Sequence, residues 1–69
     1  MDKVYLIFRE ITSRDGAKTQ IVVGKALRDT RKAIKRAADM NKNQRIKEAA
    51  KIMDVSVRHY PMEVEIEEE

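Results

Sequence analysis

Between Lys3 and Ile11 the chain reads KVYLIFREI, with apolar residues on both parities: Val4, Leu6 and Phe8 on one, Tyr5, Ile7 and Ile11 on the other. A short run this rich in β-branched and aromatic residues predicts a strand. Ser13-Arg14-Asp15-Gly16 is turn chemistry, Gly16 being free to take positive φ. Thr19 to Ala26, TQIVVGKA, predicts the returning strand of a hairpin. Gly24 interrupts that strand and marks a bulge or a close backbone approach.

From Leu27 to Met53 the pattern changes to a helical period. Ala33, Ile34, Ala37 and Ala38 make one apolar stripe, and Ile46, Ala49, Ala50 and Met53 make another, about a third of a turn away. Asp29 or Thr30 can cap the first turn. Asn41-Lys42-Asn43 falls between the stripes, which favours two helices broken there over one long curved helix.

After Pro61, Met62, Val64 and Ile66 alternate with Glu63, Glu65 and Glu67, the period of a half-buried strand. Val55 and Val57 alternate on the opposite parity, so a bulge or edge irregularity is expected at His59-Tyr60-Pro61. The same region, Ala50, Met53 to Ser56 and His59-Tyr60, also has the spacing of a DNA-reading helix-turn-helix. Pro61 opposes that reading, because it would sit inside the recognition helix at a cost of about 3 kcal/mol. The glutamates beyond it carry the wrong sign for phosphates.

These elements predict an α+β fold: one small domain over residues 1–66, in the order β-β-α(-α)-β. The sheet would be three-stranded and mainly antiparallel, with the helical segment on one face and an acidic tail at 67–69. A strand order of 2-1-3 is open, and the direction of the third strand depends on whether one helix or two precede it. Helices in a chain of this size cover one sheet face, yet the first strand is apolar on both. Tyr5, Ile7 and Ile11 are therefore assigned to a protein-interaction face, to be covered by a larger protein or by a second copy in a homodimer. A curled sheet with the helical segment wrapping its edge is the alternative.

Charge changes the picture more than composition does. The net charge is only +3, but residues 28–51 hold nine Lys and Arg against three acids, and residues 54–69 hold six acids against Arg58. A basic middle and an acidic end can steer opposite partners. Arg28, Arg31, Lys32 and Lys35 fall on one side of the first predicted helix, with Arg36 at the margin; Lys42 and Arg45 extend the positive region. Such a ridge could lie along consecutive phosphates, or be an ordinary solvated helix face. The glutamate terminus could compete for the ridge or simply keep the end solvated.

Other chemistry is thin. There is no cysteine, so neither a disulfide nor a thiolate metal site is available. Glu63, Glu65 and Glu67 lack a histidine partner or a wrapping loop, and Gly24 has no second glycine at phosphate-cradle spacing; no metal or cofactor is expected. His59, the sole histidine, could serve a small ribonuclease as general acid or base, but a structural role is the simpler expectation. No apolar run reaches the roughly 18 residues of a membrane span, and the start is unlike a signal peptide, which places the chain in the cytoplasm. The leading expectation is a non-enzymatic module that docks a basic helix on a polyanion, most simply nucleic acid, without reading bases. An acidic protein surface is the other candidate ligand. The alternative is a phage-type inhibitor or adaptor that binds a larger protein by its sheet edge or spare apolar face.

Overall fold

In the computed structural model, which describes residues 2–66, β1 (Asp2–Thr12) and β2 (Lys18–Leu27) are joined by a tight loop. The Ser13 amide donates to the Ala17 carbonyl (2.8 Å), Gly16 takes φ +91°, and the Asp15 carboxylate accepts from the Ser13 hydroxyl and the Ala17 amide. α1 (Thr30–Asn41) and α2 (Gln44–Met53) follow, then β3 (Ser56–Ile66). The α+β class, the element order and the break between two helices are those the sequence predicts. The acidic tail expected at 67–69 lies outside the described residues.

Capping chemistry fixes both helices. Asp29 is the N-cap of α1 and accepts from the amides of Arg31 (2.8 Å) and Lys32 (3.2 Å). Asn43 caps α2 in the same way through the Ile46 amide (3.1 Å). α2 ends on Asp54 in the left-handed region (φ 56°), where glycine would be unstrained, and the Val55 amide returns to the Ala50 carbonyl.

The sheet has the order β2-β1-β3, and β1 is antiparallel to both neighbours. α1 crosses one face, from the Leu27 end of β2 to His59 on β3. α2 then carries the chain on to the level of Thr12, where β3 starts. The β1–β2 register jumps between Tyr5↔Leu27 and Ile7↔Val23, and Gly24, at φ +74°, lies in the bulge as its isolated position predicts.

Two expectations change. β3 pairs with β1 without interruption from Thr12↔Ser56 to Asp2↔Ile66, so no bulge occurs at His59-Tyr60-Pro61. The apolar parity switches for another reason. Val57 and His59 face the helices, but beyond Pro61 the helices no longer cover that face, and the apolar residues pass to the other side. Pro61 is tolerated because β3 is an edge strand. The second change concerns the spare face. Ile7 is wholly buried with Ala33 and Ala37, and Tyr5, Val23, Leu27 and Met40 pack around them. Tyr5, Ile7 and Ile11 thus lie on the helix-covered side, because two alanines let α1 approach closely over Ile7. The open face carries Val4, Leu6 and Phe8 instead.

Candidate nucleic-acid interface

Ala33 and Ala37 turn inward, so the opposite side of α1 is set by the 100° step per residue. Arg31, Lys35 and the C-cap Lys42 point away from the sheet, and Lys32 and Arg36 lie to one flank. Arg28, expected on this helix face, instead precedes the extended Asp29 N-cap and lies outside α1; all are exposed. Ile34 departs from the expected apolar stripe: it sits at the opposite flank and is 55% exposed. Lys32, Lys35 and Arg36 line one shallow depression with Asp39. Lys42, at the helix junction, and Arg45, in the first turn of α2, stand outside it.

Electrostatically, four of these cations, Arg31, Lys32, Lys35 and Arg36, form no ion pair with any described residue. Among the described acids, Glu63 accepts from Tyr5 Oη (3.2 Å) and pairs with Lys3 (3.6 Å), and Glu10 pairs with Arg58 (3.9 Å). The first turn of α1 contains no acidic residue. Arg31 and Lys32 therefore lie against the positive end of the helix dipole, where a cation is disfavoured.

Sequence reasoning missed the polar cluster that ties α1 to β3. The Asn41 carboxamide oxygen accepts from the His59 backbone amide (2.7 Å) and lies 3.0 Å from His59 Nδ1; its Nδ2 donates to the His59 carbonyl (3.0 Å). Arg9 Nε donates to His59 Nε2 (2.9 Å). A ring that accepts at Nε2 must carry its proton on Nδ1, so Nδ1–H donates to Asn41 and the imidazole is neutral. His59 is 3% exposed, and both ring nitrogens are occupied. The signal in the sequence was only an asparagine at a helix end, indistinguishable there from an ordinary break.

Asn41 also acts on the sheet edge. The His59 amide and carbonyl it holds are those facing away from β1. By the alternation of strand hydrogen bonding, Pro61 also turns its nitrogen outward, and has no hydrogen to donate. The middle of the β3 edge is thus closed to an added strand. Along β2, Gly24 in its bulge and the exposed Lys18 and Lys25 guard the other edge.

Burial, and then the Arg9 guanidinium, hold the His59 pKa below its ordinary 6.5. The unfolded chain thus takes up this proton more readily than the folded one. The contribution to stability is complete above pH 6.5 and is lost as pH falls from there through the lowered folded value, at up to about 1.4 kcal/mol per pH unit. Denaturant melts across pH 5–8 should show that decline, and the His59 ring should titrate by NMR with a midpoint under 6.5. A midpoint at or above 6.5 excludes this arrangement.

α2 sits loosely on the sheet. Beneath it an apolar groove of about 440 Å³ is bounded by Met40, Ile46, Ala50, Val55 and Val57, with a smaller hollow of about 150 Å³ on the other side, near Arg9, Ile11 and Met53. Met53 is 68% exposed and Ile52 85%. Among the described residues no cluster of three His, Cys, Asp or Glu could hold a metal, and no helix is long and apolar enough to cross a membrane.

No family model matches the chain, and neither curated proteins nor solved structures give a match.

Proposed function

We propose that the protein is a non-enzymatic binding module, working in the cytoplasm, that docks α1 on a polyanion, most simply nucleic acid, without base-specific readout. One observation carries this reading: Arg31, Lys32, Lys35 and Arg36 line the exposed side of α1 without an ion pair to any described residue, two of them in the first turn, where the helix dipole disfavours a cation. Such a placement costs local stability and is repaid when phosphates approach. The ridge spans a helix about 18 Å long. It offers point charges and guanidinium forks to a backbone, and no element shaped for a groove accompanies it. Among the described residues the one close aromatic pair, Phe8 with Tyr60, is on the opposite sheet face, which favours backbone docking over base stacking.

Binding of random-sequence duplex and single-stranded probes, followed by fluorescence anisotropy, tests the reading. If Arg31, Lys32 and Lys35 each meet one duplex phosphate, log K should fall with log salt at a slope of about −2.7. Different sequences should bind alike. Absence of binding at 50 mM salt overturns the proposal.

The adaptor reading loses one of its two routes, since both sheet edges are guarded, and keeps the open apolar face. The ribonuclease reading is disfavoured by a histidine that has no free ring nitrogen to offer a substrate.

A further inference from the structure

We propose that two copies of this chain pack through their open sheet faces, giving a four-layer α/β/β/α homodimer with both α1 ridges outermost. The face in question carries Leu6, Phe8, Val22, Tyr60, Met62 and Val64, brought side by side by the pairings Phe8↔Val22, Phe8↔Tyr60 and Leu6↔Met62. No helix touches it.

The strongest argument comes from the far half of β3. There Met62 and Ile66 remain 43% and 40% exposed on the open side, flanking the buried Val4 of β1. The chain distinguishes the two faces sharply: Glu63 and Glu65 lie on the helix side, and Met62, Val64 and Ile66 lie on the open side. That is the alternation of a strand with one buried face, and the apolar side is the one turned away from both helices.

Size supports the same conclusion. The buried hydrophobic residues are only Val4, Ile7, Ala33 and Ala37 among those described, in a molecule only 13 Å across its thinnest axis. Its radius of gyration is 13.6 Å, against about 11 Å for a compact domain of this length. Its accessible surface of 5635 Å² exceeds by roughly 1,200 Å² what a monomer of this mass exposes. A standard interface removes about 800 Å² from each partner, so one self-association of ordinary size accounts for most of the surplus.

A second copy fits better than an unlike partner. The patch is apolar at its centre, and its charged groups, Lys18, Glu10 and Arg58, stand at one end, where Glu10 and Arg58 pair with each other. Nothing at its centre asks for a complementary charge. An uncharged surface is its own complement under a two-fold axis. The Phe8–Tyr60 stack (centroids 5.8 Å apart), with Arg58 over the Tyr60 ring, supplies residue types that dominate interface energetics. The guarded edges disfavour the competing mode, continuous sheet formation across two copies. The inference does not rest on what the α1 ridge binds.

Sedimentation equilibrium of the full chain at tens of micromolar should give twice the 8.0 kDa chain mass. Val22→Lys with Met62→Lys should give a folded monomer, because both side chains are about half exposed in the protomer, at 50% and 43%. Met53→Lys, in the groove under α2, should leave the dimer intact. Should the double variant fail to fold, the wild-type melting midpoint is the second readout: it must rise with protein concentration over a hundredfold range. A wild-type monomer overturns the proposal, as does a concentration-independent midpoint, or dissociation by Met53→Lys and not by the double variant.

Discussion

Replacing Asn41 with alanine is expected to remove much of the fold's stability, on the order of 2–4 kcal/mol, although the side chain contributes almost no apolar burial. The figure follows from what is left behind. The His59 amide, its carbonyl and Nδ1–H all lose a partner at once, and His59 is buried, so water restores them only in part. A buried group left unsatisfied costs about 1–3 kcal/mol. Against a total of about 3.5–10 kcal/mol for a domain of this length, that is a large fraction. Asn41 is also the hinge pin between α1 and β3, so its loss frees the helix end and, with it, α2. A chemical denaturation midpoint shifted down by a large part of its wild-type value is the expected result. An unchanged midpoint would show that the three contacts are replaced by solvent without cost.

Elements were legible in the sequence wherever a local pattern determined them. The hairpin followed from Asp15-Gly16 between two β-branched runs, and the two helices from apolar stripes out of phase around Asn41 to Asn43. Faces were not legible. Whether α1 covers the Val4 parity or the Ile7 parity of β1 depends on where the crossover lands, and both parities are apolar. The small Ala33 and Ala37 decide it by letting the helix sit over Ile7, a tertiary effect that periodicity does not contain. The phase switch in β3 was visible but was read as a backbone defect. It is instead a change in which face is covered, with the backbone regular throughout. The ridge residues of α1 were all placeable at the surface from spacing alone, since exposure of charge needs no partner. The Asn41–His59–Arg9 cluster was not, because its members lie 18 and 50 residues apart and meet only once β3 has paired with β1.

Reversing charge at Arg31, Lys32 and Lys35 should separate the ridge's role in binding from any role in folding. With three phosphate contacts replaced by three repulsions, affinity for nucleic acid at 50 mM salt should fall by roughly a thousandfold or more, and the salt slope should approach zero. Stability should move the other way. Arg31 and Lys32 occupy the first turn of a helix that has no acid there, and their backbone amides, not their side chains, satisfy the Asp29 cap. Glutamate at those two positions meets the positive end of the dipole and should stabilise α1 by about 0.3–1 kcal/mol apiece. None of the three side chains pairs with a described acid, so nothing in the fold is broken by the change. A purely structural ridge predicts the opposite pair of results: a lower melting temperature and no effect on a nucleic-acid probe. Calorimetry and anisotropy on the same triple variant decide between them, because the two accounts disagree in sign on both measurements.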